Sequence, residues 1–187
     1  MLFVIENLEP KLSEWLHVEY SNASKIVGKK NLLITNVKKR AERKALSKIA
    51  AVERRRAVDV LGQAEVVLLD PKAKKALAPT DLTDKRAMLI GGILGSDPPL
   101  GRTKELLTRF LPGAMKRHIG GSQFSIDGAT YVAKQVSDGK TLVEIPVQQG
   151  VELHISKIYT VFLPYAFPLV RGKPLVSPKL IHYLKRH

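Results

Sequence analysis

Arg86–Ser96 reads RAMLIGGILGS, an apolar run that feeds straight into a glycine-rich loop and then into Asp97-Pro98-Pro99. Met88, Leu89 and Ile90 are continuous rather than alternating, the pattern of a parallel strand covered on both faces. Gly91, Gly92 and Gly95 follow at its carboxyl end, where ligands bind in open α/β sheets. Glycine suits such a loop because a backbone without Cβ approaches a ligand closely and tolerates positive φ. A tight turn that simply needs glycine reads the same way locally.

Working outward, the familiar phosphate loops fail. GGxxG is not GxGxxG, and no acidic residue ends a following strand at the distance a ribose needs. Gly139-Lys140-Thr141 has a Walker-like ending, but Lys134 stands where the first glycine belongs, so the segment reads as a turn.

The chain of 187 residues is 44% hydrophobic, enough for a real core and one domain over residues 1–187. Met1–Ile5 is apolar but meets Glu6 and Glu9 at once, so it has no signal-peptide core, and no stretch reaches membrane-spanning length. A cytoplasmic protein is expected. The absence of cysteine excludes disulfides, thiolate zinc sites and cysteine nucleophiles, including the covalent route to methylation at pyrimidine carbon 5. His182 and His187 are spaced too far apart for a helical metal pair and read as exposed basic residues. No HExxH or carboxylate–histidine cluster is present, so no metal is expected.

A net charge of +14, from 31 basic and 17 acidic residues, points to a polyanionic partner, RNA or the ribosome. Ion-pair networks of the thermophile kind would also enrich Lys and Arg, but here most cations lack an acid to pair with.

Spacing predicts a strand at Leu2–Ile5, a helix carrying Leu12, Trp15, Leu16, Ala23, Ile26 and Val27 that ends at Gly28, and a strand at Asn31–Val37. Lys38–Arg56, with nine Lys/Arg, reads as one amphipathic helix bracketed by Lys38-Lys39-Arg40 and Arg54-Arg55-Arg56, a candidate substrate or RNA surface. Further strands are expected at Val66–Leu69, through the glycine-loop segment, at Met115–Ile119 and at Leu142–Pro146. Helices are expected from a Thr103 cap to about Phe110, from an Asp127 cap through Val136, and at Lys179–Lys185. The βαβα rhythm predicts an α/β fold, a mainly parallel sheet flanked by helices.

Val4-Ile5-Glu6 with Leu12-Ser13-Glu14-Trp15 and Glu19-Tyr20, then Leu69-Asp70-Pro71, GGILG at 91–95, Pro98-Pro99, Arg102-Thr103-Lys104-Glu105-Leu106, Arg117-His118-Ile119-Gly120 and Gln123 make a larger pattern. Together they resemble the SPOUT methyltransferases, in the branch holding archaeal predicted RNA methyltransferases and a eukaryotic protein arginine methyltransferase that acts on a small-subunit ribosomal protein. The resemblance spans nearly the whole chain. It implies a carboxyl-terminal deep trefoil knot, with knot and cofactor site roughly over 86–170, a topology that ordinary chain-connection rules disfavour. It also implies S-adenosylmethionine, held by Leu89, Gly91, Gly92, Ile93, Leu94 and Gly95 from one loop and by His118, Ile119, Gly120, Gln123 and Ser125 from the other. Ser96 stands where the family usually has aspartate, with Asp97 one later; Ser125–Ala129 replaces a Thr-Thr-Asp-Thr-Ala run; and Glu152 is the nearest acid to the relatives' Tyr-Pro-Glu segment.

Methyl transfer is an in-line displacement in which the protein aligns the reactants and removes one proton. An arginine acceptor needs carboxylates to clamp its guanidinium, and Asp97, with Arg102, is the candidate catalytic set; Asp97 also reads as the first residue of a proline turn. An RNA acceptor calls instead for cations, from Arg102, Arg117 and the Lys38–Arg56 segment. The expected substrate is a ribosomal-protein arginine. RNA methylation and cofactor binding without catalysis in ribosome assembly stay open, as does monomer against homodimer.

Overall fold

A computed structural model of the chain describes residues 1–156 and 158–186. His187 therefore lies outside the described residues. The organising element is a six-stranded sheet of order β3-β2-β1-β5-β4-β6 in which every pairing is parallel. Its strands are β1 (Leu2–Asn7), β2 (Leu32–Thr35), β3 (Ala51–Val52), β4 (Val66–Leu69), β5 (Ala87–Gly92) and β6 (Met115–Arg117). In β5, Met88 and Ile90 enter one apolar cluster with Phe3, Ile5 and Tyr20, while Ala87 and Leu89 enter another with Val4, Leu107 and Leu111. That two-sided burial is why the strand is continuously apolar rather than alternating.

Helix α1 (Glu14–Val27) starts at Ser13, whose Oγ accepts from Leu16 N, and ends at Gly28 with φ +83°. It packs on α5 (Ile126–Ser137) over the first cluster. On the other face lie Ala57 of α3 (Ala57–Val60) and the segment after α4 (Arg102–Leu106). Gly139, at φ +101°, makes the expected turn after α5.

Lys38–Arg56 is not one helix. Only Arg40–Leu46 is helical, forming α2, and the chain then turns so that Ala51 and Val52 pair with Leu33 and Ile34 as the sheet's edge strand. The apolar spacing that suggested one amphipathic helix is shared between a short helix and a strand, and an open sheet edge supplies backbone partners that a helix continuing to Arg56 would forgo. Three smaller differences follow local hydrogen bonding. Ser125, not Asp127, caps α5, its Oγ accepting from Gly128 N at 3.2 Å. Gly101, not Thr103, precedes α4, at φ +64° and without a side-chain cap. Leu142–Glu144 is a 3-10 turn, not a strand.

The carboxyl-terminal third departs from the parallel rhythm. Strands β7 (Val147–His154), β8 (Thr160–Val170) and β9 (Lys173–Pro174) form a separate antiparallel sheet. Val151, Leu163 and Phe167 pack it against Val18 of α1 and Leu180 of α6 (Pro178–Leu184), and the Trp15 and Tyr183 rings meet edge-on with centroids 6.0 Å apart. Strand β8 meets the loop that follows β6, where Ala166 N donates to Gln123 O at 2.8 Å. None of the described helices is long and apolar enough to cross a membrane.

Candidate active site

The carboxyl ends of β4 and β5 face the loop that follows β6 across a cavity of about 340 Å³, a size typical of small-molecule sites. Three segments wall it: Leu69–Lys72, the loop formed by Gly91 and Ile93–Ser96 and continuing at Pro99–Thr103, and Ile119–Ile126. Its lining is mainly backbone and apolar side chains, including Leu69, Ile93, Leu94, Ile119, Phe124 and Ala129. Such a surface suits a flat heteroaromatic ring read by amides and carbonyls.

Gly95 shows why the first loop needs glycine. A Cβ there would strike the Tyr165 ring and the Gln123 side chain. Gln123 ties the loops together, its Nε2 donating to Ser96 O at 3.2 Å. Burial first, and then the Glu19 and Asp97 charges, push the Tyr165 hydroxyl above the usual tyrosine range, which keeps it a neutral donor.

Of the residues expected at the cofactor, Gly91, Ile93, Leu94, Gly95, Ile119, Gly120, Gln123 and Ser125 line the cavity, as does Arg102. Leu89, Gly92 and His118 do not. Leu89 points to the opposite face of the sheet, into the core with Val4 and Leu107. Gly92 is a packing glycine, because a Cβ there would meet the Tyr20 hydroxyl and, at 2.6 Å, the Glu6 carbonyl. His118 shapes the second loop from behind: its amide donates to Lys75 O at 3.0 Å and its Nδ1 faces Gly120 N at 3.2 Å. Asp97 is exposed and outside the cavity wall, between the lining residues Ser96 and Pro99.

The expected cationic residues divide by partner. Arg117 is committed to Asp81 through bonds of 2.8 and 2.6 Å, which hold the Asp81 carboxyl below its usual range. Arg56 is structural: Nε binds Glu6 at 2.7 Å, Nη2 binds Leu106 O at 2.6 Å and the guanidinium lies over the Phe110 ring. Arg55 pairs with Glu53 at 3.1 Å, and Lys39 with Glu42 at 3.4 Å. Lys38, Arg40 and Arg54 face solvent.

Sequence reasoning did not place Leu69–Lys72, Phe124 or Tyr165 at the site. Asp70 is buried there, accepting from Thr108 Oγ1 at 2.8 Å and Lys72 N at 2.9 Å; its available signal was a carboxylate just past an apolar strand. Glu9 was missed as well. Its Oε1 accepts from Leu94 N at 2.9 Å and lies 3.2 Å from Nη2 of Arg102, so a residue from β1's end fixes the glycine loop. Among the described residues, no group of three or more His, Asp or Glu could hold a metal.

The comparisons agree with this geometry. Over its whole length the chain is 27% identical to the protein arginine N-methyltransferase SFM1 of Saccharomyces cerevisiae, covering 95% of the yeast protein. The crystal structure of yeast SFM1 complexed with S-adenosylmethionine superimposes with a TM-score of 0.90, covering 99% of this chain and 90% of that one at 27% identity; the S-adenosylhomocysteine complex also gives 0.90, at 28% identity. Trm10 of Thermococcus kodakaraensis, at 20% identity and a TM-score of 0.58 over 77% of this chain and 96% of its own, shares the fold. A family model described as "Protein arginine N-methyltransferase SFM1-like" matches residues 2–187, so the chain belongs to the SFM1-like family and is an S-adenosylmethionine-dependent methyltransferase.

Proposed function

We propose that this enzyme methylates an arginine of a ribosomal protein. The observation that carries the reading is the family match over residues 2–187, joined to a cavity whose glycine loop is pinned by a carboxylate, Glu9, and bordered by a guanidinium, Arg102. S-adenosylmethionine supplies an electrophilic methyl group on a sulfonium, and the residues present fit it. Leu69, Ile119, Phe124 and Ala129 offer an apolar slot for the adenine, and Gly95, crowded by Tyr165 and Gln123, lets the loop backbone close on the ligand. The chain's own residues then hold the reactants in line, exclude water and take up one proton. The deep trefoil knot over roughly residues 86–170 is part of the same proposal and rests on the family likeness.

The acceptor assay incubates the protein and methyl-labelled S-adenosylmethionine with ribosomal subunits and free ribosomal proteins, followed by separate protease and ribonuclease digestion. Monomethylarginine released by acid hydrolysis is the expected product. Label that survives protease and disappears with ribonuclease overturns the reading in favour of an RNA acceptor, which the net charge of +14 supports. Replacing Gly95 with alanine should abolish cofactor binding in calorimetry without unfolding the protein, and normal binding would remove the loop from the site. RNA or ribosome contact is tested with Lys38, Arg40 and Arg54 changed to glutamate, which should weaken association and flatten its salt dependence.

A further inference from the structure

A second cleft, of about 450 Å³, opens on the same carboxyl edge of the sheet. Its floor is the ends of β1 and β2, at Asn7, Leu8 and Asn36, and its far wall includes Glu105 and Phe110. Glu9 lines this cleft, whereas Leu94 and Arg102 line the cofactor cavity. The contact among those three residues is thus the partition between the two spaces.

That partition already holds a guanidinium. Nη2 of Arg102 donates to Leu94 O at 2.6 Å and faces the Glu9 carboxylate at 3.2 Å, while Leu94 N fixes the same carboxylate oxygen at 2.9 Å. A carboxylate beside a carbonyl complements a planar, donor-only fork. The floor is held rigidly. Asn36 is left-handed at φ +61°, tied by its Nδ2 to Asn7 O at 2.7 Å and by its amide to Arg55 O at 2.7 Å, and such conformations gather at ligand-facing positions. Of the cations that line the cleft, Lys39 faces Glu42, Arg109 faces Glu105 and Arg56 faces Glu6, so each of these has an acid of its own, as Arg102 has Glu9.

We infer that this cleft admits the side chain of the acceptor arginine and that Glu9 receives its guanidinium, Arg102 keeping the place until the acceptor displaces it. The inference rests on the arginine reading above. In the transfer, a guanidinium nitrogen forms a bond to the methyl carbon as the carbon–sulfur bond breaks, and that bond's electron pair returns to sulfur, leaving a neutral thioether. One N–H proton must depart, because the methylated guanidinium keeps a single positive charge. Glu9 accepts that proton and releases it to water in the cleft. Since Glu9 is fastened to the loop that walls the cofactor cavity, proton acceptor and methyl donor are held in one register.

The test compares the parent with Glu9→Gln, Glu9→Asp and Arg102→Met on the arginine acceptor identified above. Gln keeps an oxygen for Leu94 N and for Arg102, so a merely structural role would survive it. The expected result is a fall in kcat on the order of 100-fold or more, an unchanged Kd for S-adenosylmethionine, partial recovery in Glu9→Asp, and a lower KM for the acceptor in Arg102→Met. Agmatine, an arginine-like guanidinium, should compete with the acceptor but not with S-adenosylmethionine on the parent enzyme, which tests the site without any variant. A Glu9→Gln enzyme with parental kcat, or agmatine that fails to compete, overturns the cleft assignment alone. Label in RNA rather than in arginine overturns both readings.

Discussion

Glu6 and Glu19 are buried carboxylates of the same type, and their surroundings are opposite. Glu6, wholly buried, accepts from Arg56 Nε at 2.7 Å, Thr35 Oγ1 at 2.7 Å and Ala57 N at 2.6 Å. Glu19 accepts from Trp15 Nε1 at 2.6 Å and Ile126 N at 2.8 Å, two neutral donors, with the buried Asp127 beside it. Burial, and then the Asp127 charge, push the Glu19 carboxyl up to about 8, and burial raises Asp127 as well. Burial is common to both carboxylates, and the partner is what differs: a guanidinium stands beside Glu6, and around Glu19 a second acid takes the place of a cation.

The strongest way to break this comparison is to remove the cation. Arg56→Ala leaves Glu6 buried and unpaired, and chemical denaturation should show a loss of about 3–5 kcal/mol. A loss under 1 kcal/mol would mean that Glu6 needs only its neutral donors. The second way uses pH. From the ordinary glutamate value of 4.5 up to about 8, the folded state holds a proton that the unfolded chain releases. Stability should therefore fall as pH rises through that window, by at most about 1.4 kcal/mol per pH unit for one group, and level off above it. Denaturation midpoints measured across the window should slope downward in the parent and flatten in Glu19→Gln. A third change sharpens the acid pair itself. Asn22 Nδ2 donates to Asp127 Oδ2 at 2.8 Å, and Asn22→Ala should cost about 1 kcal/mol, read as a lower thermal midpoint. The smallest effect belongs to Arg54, two positions before Arg56 and exposed. Arg54→Glu should stay within about 0.5 kcal/mol of the parent, and a larger change would show that the basic run is structural throughout.

Those neighbouring arginines also mark what the sequence made legible. The parallel sheet was readable because its strands are short apolar runs flanked by turn residues, and the cofactor cavity because two glycine loops carry their own spacing. Arg54, Arg55 and Arg56 are identical letters, yet one faces solvent, one pairs with Glu53 and one is half-buried against Glu6. That division depends on contacts fifty positions apart, which no local pattern encodes. Gly91 and Gly92 repeat the lesson: adjacent identical letters in β5, one lines the cavity and the other sits under Tyr20. The antiparallel sheet escaped notice because Pro164 and Pro168 sit inside β8, where proline ordinarily argues against a strand. Glu9 was hidden differently, since its partner Leu94 lies 85 positions further along the chain and Arg102 further still.

The Arg56 side chain has a kinetic meaning as well. It joins the end of β1 to the carbonyl of Leu106, with fifty residues of chain on either side of it, so both loops must close before the guanidinium can leave water. An interaction that needs both closures is expected to be absent from the transition state, and removing such an interaction speeds unfolding while leaving the folding rate nearly untouched. In stopped-flow experiments Arg56→Ala should steepen nothing and slow nothing on the refolding side; its whole effect should appear as a faster escape from the native state.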